Sequence, residues 1–331
     1  MGFAEELVRK ASRLNKKIVL PESEDERTLR ATERLTRENI AKIVLVGDPD
    51  KVRDAAKKAG ADISGAELHS LADTARTAPL AEKLHEIRKA KGMTREEAFE
   101  QIKCPLYYST MLLKTGYVDG YVAGGGFHST AQKLRPPLQI IKAAPGITTV
   151  STFFIMVHPD EKWGEKGIFA FADCAMVEMP TAEQLADIAV ASGRSFKQLV
   201  GAEPRVAMLS YSTKGSGKSS DVEKVIKATE LAKKAAPDMA IDGELQFDTA
   251  IIPAIAERKC KGGSPVAGKA NVFIFPDLDT GNVAYKIAER LGGAQAIGPL
   301  VQGMAKPTHD LSRGCSADDI VKVCAAAAVM A

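Results

Sequence analysis

The sequence predicts an α/β protein built on parallel sheets and divided into two units, and three observations lead there. Short apolar runs of strand length alternate with helical patterns along nearly the whole chain. The opening reads β-α-β-α, an order that implies a parallel sheet because each return crosses over through a helix. From TTVSTFFIMV (148 to 157) onward the β runs lengthen, which puts the start of a second α/β unit near residue 147.

Taken in order, MGFAEELVRKASRL reads as an amphipathic helix, KIVLP (17 to 21) as a strand, and about Asp25 to Glu38 as a helix. AKIVLVG (41 to 47) is the next strand, followed by a helix from near Asp50. Helices follow through about 75 to 91 and from Thr94, where Thr94 and Glu97 have the spacing of a capping box. YVDGYVAGGG (117 to 126) ends a strand in glycines. LRPPLQIIKAAPG (134 to 146) reads as a helix opened by proline and closed at Gly146. In the second unit GIFAFADCA (167 to 175), RVAMLSYS (205 to 212) and NVFIFP (271 to 276) supply strands. Helices are expected at about 182 to 193, 221 to 236, 247 to 259 and 282 to 291, and KCKGGSPVAGKAN (259 to 271) as a mobile loop. SADDIVKVCAAAAVMA closes the chain as one more helix.

Composition excludes several function classes. Hydrophobic content of 45% and charged content of 26% are those of an ordinary globular protein. A formal charge of +3, scattered Lys and Arg, and only 5% aromatics argue against nucleic acid as a partner. No apolar run reaches spanning length and the N-terminus lacks a signal-peptide core, so the expectation is a cytoplasmic protein with no membrane attachment. Five widely spaced cysteines without a C-x-x-C pair read as reduced thiols, neither a disulfide framework nor a zinc site.

SYSTKGSGKSS (210 to 220) invites a nucleotide-binding reading, because strand, loop and helix follow one another there. The P-loop pattern needs a glycine at position 212, however, and Ser212 occupies it. What survives is weaker: a loop of small residues before a helix binds anions through backbone N–H groups. Two other loops share that character, GGGFHST (124 to 130) and PDLDTGN (276 to 282), and ligands of open α/β sheets gather at the carboxyl ends of strands. Arg135 precedes Pro136, which favours a non-helical conformation and predicts that it stands at a helix entrance beside Ser129 and Thr130. In DLSRGCSADDI (310 to 320) Ser316 is a good N-cap with Asp319 three residues on, so a capping interaction explains both. Ser312 and Arg313 are left over, and an Arg beside a hydroxyl before a carboxylate also describes a compact acyl-transfer site.

FADCA (171 to 175), SYSTKGS (210 to 216), FPDLDTGN (275 to 282), GPLVQGMAKPTHDLSRGCSADDIV (298 to 321) and HST (128 to 130) with LRPPLQIIKAAPG together resemble the phosphate acetyltransferase (phosphotransacetylase) family. The likeness runs from KIVLPESEDERTL (17 to 29) to the final helix, and DLSRGCS before an acidic pair is its most specific part. The resemblance implies transfer of an acetyl group between coenzyme A and inorganic phosphate, with acetyl phosphate as the other product or substrate. It further implies two three-layer α/β/α domains, isocitrate/isopropylmalate dehydrogenase-like, with the active site in the interdomain cleft, and a homodimer. The expected domains are residues 1–146 together with 298–331, and 147–297. By motif matching Ser312, Arg313 and Asp319 take catalytic positions, and Arg88 and Arg135 take phosphate-binding ones. Arg27 and Arg290 match further arginines of the family, and Thr213, Lys214, Gly215, Asn282 and Tyr285 match substrate contacts. The chain departs from the commoner family pattern in GSGKSSDVEKV and GGGFHSTAQKLRPP, which bears on substrate fit more than on chemistry.

Acyl transfer from acetyl phosphate needs a thiolate, stabilisation of the carbonyl oxygen and a binder for the departing phosphate, and no metal or tightly bound cofactor. The expectation is that Asp319 takes the thiol proton, Ser312 orients thiol or base, and Arg313 stabilises the oxyanion, with acetyl-CoA, phosphate and acetyl phosphate as small-molecule substrates. Three alternatives compete: a phosphate butyryltransferase differing in acyl pocket, an NAD-dependent hydroxy-acid dehydrogenase of related fold, and a catalytically silent CoA-binding module. The dehydrogenase lacks support in a G-x-G-x-x-G after a strand or an acidic metal cluster.

Overall fold

The computed structural model describes residues 2–331, which divide into two compact units, 1–145 with 304–331 and 146–303. The first unit opens with helix α1 (Phe3–Leu14), strand β1 (Lys17–Leu20), α2 (Glu26–Arg37), β2 (Lys42–Val46), α3 (Pro49–Ala59) and β3 (Glu67–His69). Local chemistry sets these ends. Asp25 and Asp48 accept from the first free N–H groups of α2 and α3, Pro49 begins α3 where no N–H is needed, and Gly60 ends it in the left-handed region. Then come α4 (Thr74–Arg88), α5 (Arg95–Gln101) with the expected Thr94–Glu97 capping box, α6 (Pro105–Thr115), β4 (Gly120–Ala123) and α7 (Thr130–Ile140).

Helix α7 departs from the sequence expectation. It starts at the Ser129 N-cap rather than at a proline, carries Pro136 and Pro137 in its interior, and ends at Ile141 rather than Gly146. The interior prolines survive because a lost backbone donor is replaced: Pro137 has no N–H for the carbonyl of Lys133, and the Tyr121 hydroxyl donates to that oxygen instead.

The second unit comprises β5 (Ser151–Val157), β6 (Ile168–Ala172), α8 (Ala182–Val200), β7 (Arg205–Leu209), α9 (Ser220–Ala235), β8 (Ala240–Leu245), α10 (Phe247–Ile251), α11 (Pro253–Lys259), β9 (Val272–Ile274), α12 (Leu278–Arg290) and β10 (Gln295–Gln302). Its sheet runs β10-β5-β6-β9-β7-β8, antiparallel across the first two pairings and parallel thereafter. Alternate residues of the inner strands serve opposite faces. Phe154, Phe171, Leu209 and Phe273 form one apolar face against Ala284, Tyr285 and Ala288 of α12, and α8 and α9 pack on the other. The helix expected over 247 to 259 is broken at Ile252, because Pro253 disfavours helical backbone before it. Residues 259 to 271, expected to be mobile, are packed down: Val266 is buried and Ser264 binds Asp242.

The chain returns to the first unit through β11 (Thr308–Asp310) and α13 (Ala317–Met330). The return falls later than residue 298, since β10 pairs with β5 and keeps residues 298 to 302 in the second sheet. β11 completes an all-parallel sheet, β11-β4-β1-β2-β3, in which the inner strands β1 and β2 are near-continuous apolar runs because helices cover both faces. α13 is buried over almost its whole length against α1, α2 and β4, and its Ala325 to Ala328 run lets these backbones approach closely.

Candidate functional site

The carboxyl ends of β1, β4 and β11 carry three loops of the first unit, and Arg27, Ser129, Thr130, Arg135, Ser312, Arg313 and Asp319 belong to them or to the helices that follow. Glycines in the GGGFHST loop answer to packing: a Cβ on Gly125 would stand 2.5 Å from that of Glu22. That close approach lets Glu22 accept from the backbone N–H of His128 at 3.2 Å and lie 3.1 Å from its Nδ1.

Asp319 is the third residue of α13 and closes the expected capping box with Ser316. Its Oδ2 accepts from the Ser316 N–H at 2.9 Å and the Ser316 hydroxyl at 2.8 Å, while Oδ1 takes no bond among the described residues. One carboxylate oxygen therefore holds the helix start and the other remains available to an incoming proton. Ser312 and Arg313 are exposed in the loop before it, with the Ser312 hydroxyl accepting only from the N–H of Gly314.

Arg27 is tied into that loop. Its guanidinium pairs with Asp25 at 2.8 Å and donates to the carbonyls of Arg313, at 2.6 Å, and Cys315, at 3.0 Å. Burial pushes the Asp25 carboxyl up, but bonds from Arg27 and the Gly126 N–H outweigh it and hold it below the usual range. Cys315 donates its thiol to the Gly124 carbonyl, and burial pushes that thiol up to about 11.

Arg135 is not at a helix entrance. It is the sixth residue of α7, roughly 9 Å along the axis from Ser129, whose hydroxyl and N–H are engaged with Gln132. Helices α4, α6 and α7 pack on one another, and Arg88 is the last residue of α4; burial pushes the Tyr107 phenol of α6 up, while the charges of Arg135 and Arg88 pull it back down. Among the described residues neither arginine has a hydrogen bond or ion pair, and the Nε of Arg88 is buried without an acceptor. Guanidinium groups without carboxylate partners favour anions as ligands. Tyr107 was not singled out in the sequence. Nothing local marks it, because its role depends on helices brought together by the fold.

In the second unit the expected contacts are largely committed to their own loop. The Thr213 hydroxyl accepts from the Gln246 N–H, the Lys214 ammonium binds Asp242 at 2.7 Å, and the Gly215 N–H donates to Glu244 at 2.7 Å. Ser212 bridges Glu244 and the N–H of Gly217, so the position that a P-loop requires to be glycine is a structural crosslink. Asn282 donates to the Cys174 carbonyl, Tyr285 stacks on Phe154 at 4.2 Å, and Arg290 lies exposed beside Glu289. Among the described residues no cluster of three His, Cys, Asp or Glu side chains could hold a metal ion, and no helix is long and apolar enough to cross a membrane.

Comparison with known proteins follows the same lines. The family model described as "Phosphate acetyl/butaryl transferase" matches residues 2–328. A phosphate acetyltransferase of Acetivibrio thermocellus is 52% identical over all of this chain and 98% of its own length, and one of Thermoanaerobacterium thermosaccharolyticum is 51% identical over the whole of both. Among solved structures, the EutD phosphotransacetylase from Staphylococcus aureus is 43% identical, with a TM-score of 0.90 over 98% of each chain.

Proposed function

The chain belongs to the phosphate acetyl/butaryl transferase family and transfers acetyl groups between coenzyme A and phosphate, and we propose that Arg88 and Arg135 bind the phosphate while Ser312, Arg313 and Asp319 carry the transfer. The observation that carries this reading is that Arg88 and Arg135 stand without hydrogen-bond or ion-pair partners among the described residues, the Nε of Arg88 buried without an acceptor, on helices α4 and α7 that pack together. In the direction of acetyl-CoA formation the thiol sulfur attacks the carbonyl carbon of acetyl phosphate. Its proton passes to the free Oδ1 of Asp319, the carbon–oxygen bond to phosphate breaks, and phosphate departs as the anion that Arg88 and Arg135 receive. Arg313 stabilises the charge that gathers on the carbonyl oxygen, and Ser312 orients the thiol. Coenzyme A and its acetyl ester enter as substrates, and these steps call on no resident cofactor. Release of free thiol from acetyl-CoA on addition of phosphate, abolished in the Arg88→Ala and Arg135→Ala double variant, tests the assignment.

We also propose a cytoplasmic homodimer. Exposed Val283, Ile287 and Leu291 recur every four residues along α12 beside an apolar cavity of about 620 Å³ lined by Tyr211, Phe247 and Phe275. An exposed apolar stripe of this kind favours association over solvation. Light scattering of Ile287→Glu should give a monomer mass where the native chain gives twice that; equal masses for both would remove this face from the contact.

A further inference from the structure

Under the loop of residues 311–316 lies a buried group of charges to which the sequence alone assigned no role. Lys133, 1% exposed, donates its ammonium to the Leu311 carbonyl at 3.1 Å and pairs as a cation with Asp310 Oδ1 at 3.0 Å and Glu22 Oε2 at 3.7 Å. One of these contacts is a hydrogen bond and two are ion pairs, and the Asp310 and Glu22 oxygens that face the ammonium are buried with no hydrogen-bond donor among the described residues. Its backbone is held too, through the Tyr121 hydroxyl. Glu22 in turn grips His128 in the glycine loop. Lys133 therefore joins the ends of β1 and β11, strand β4 and helix α7, and it lies two residues from Arg135 on that helix while its partner Leu311 immediately precedes Ser312.

Stability alone does not account for such a group. Buried ion clusters are commonly no more stable than well-packed apolar replacements, whereas they do fix geometry. We propose that Lys133 is a positioning residue for acyl transfer, holding the backbone at 310–313 against α7 so that Ser312 and Arg313 keep their register with Arg135. The inference rests on the assignment of Ser312, Arg313 and Asp319 to the reaction, which the Asp319 variant tests separately.

Three variants decide it: Lys133→Met, Lys133→Met combined with Glu22→Gln and Asp310→Asn, and Lys133→Arg. Thermal midpoint, kcat, KM for phosphate and hydrogen exchange over residues 311–319 are measured for each, with rates taken per folded molecule. Lys133→Met should lose stability because it strands two buried carboxylates. The neutral triple variant should recover the midpoint yet stay at least tenfold below native in kcat/KM for phosphate, with faster exchange at 312–316. Recovery of activity together with the midpoint, and native exchange, would show that Lys133 acts only on stability. Lys133→Arg keeps the cation and its donors, and should exceed Lys133→Met in activity by tenfold or more with native exchange at 312–316. If the triple variant does not fold, this comparison decides alone, and a folded Arg variant with native exchange but without rescue overturns the proposal.

Discussion

The Tyr121 hydroxyl donates a 3.1 Å hydrogen bond to the backbone carbonyl of Lys133, the oxygen that Pro137 leaves without an N–H. Tyr121 is fully buried, so the bond exchanges with no water. Tyr121→Phe should cost about 1 to 3 kcal/mol in urea unfolding, the desolvation penalty of an orphaned buried acceptor. Pro137→Ala returns the missing N–H, so the loss from Tyr121→Phe should be smaller in that background. An equal loss in both backgrounds would show that the hydroxyl contributes through packing alone.

Arg88 and Arg135 have no acidic partner among the described residues, so removing either leaves no carboxylate stranded. Folding should be nearly unchanged. Loss of one charge-assisted contact to phosphate costs about 1.5 to 3 kcal/mol, which is roughly a tenfold to hundredfold rise in KM for phosphate. KM for coenzyme A should hold. Native phosphate KM in both variants would contradict the assignment.

Asp319 serves a cap through one oxygen and has the other free, which makes Asp319→Asn informative. As a cap only, the residue's replacement would cost roughly 0.5 to 2 kcal/mol in stability and leave turnover near native. As the base, it should lower kcat by about 10²- to 10⁴-fold in a folded protein that still binds coenzyme A. The deficit should shrink as pH climbs toward the thiol's own value near about 8.5, where solution supplies the thiolate. Full turnover at neutral pH would remove Asp319 from the mechanism.

Ser212→Gly completes the P-loop pattern around Gly217, Lys218 and Ser219. The structure predicts that it creates no ATP site and that it unlinks Glu244 from Gly217. Stability should fall by about 1 to 3 kcal/mol, and calorimetric titration with ATP should give no heat of binding. Tight ATP binding by this variant would restore the nucleotide reading.

Burial holds the His309 imidazole at about 3, far below its ordinary 6.5. A proton then binds the unfolded chain near the upper value and the folded chain only near the lower one. This contribution to stability is complete above pH 6.5 and is lost as pH falls toward 3, by at most about 1.4 kcal/mol per pH unit. In His309→Gln, urea midpoints should decline less steeply over that window than in the native chain. Parallel declines would show that His309 titrates normally.

Much of the architecture was legible because it is encoded locally. β1 and β2 are continuous apolar runs, and the caps at Asp25, Thr94 and Ser316 act within three residues of themselves. β8 was missed because AIDGEL offers no apolar pattern. Asp242 and Glu244 are tolerated inside that strand only because Lys214, Lys233 and Ser212 reach them from elsewhere. The proline rule failed at Arg135 for a related reason, since a distant tyrosine supplies the bond that an interior proline forfeits.

The sequence by itself determined most of the order of elements, the two α/β units, the family and the side chains to consider for the site, all of which rest on local periodicity, capping chemistry and short motifs. Only the tertiary structure decided which of those side chains are free to act. Arg27, Arg88 and Arg135 look alike as sequence, yet Arg27 is occupied by Asp25 and two carbonyls while the other two are without partners. The Lys133 group was wholly the fold's doing, as its bond to Leu311 joins residues 178 positions apart. A hydrogen bond acts over about 3 Å, and which distant groups come that close is set by how helices and strands pack, not by their spacing along the chain.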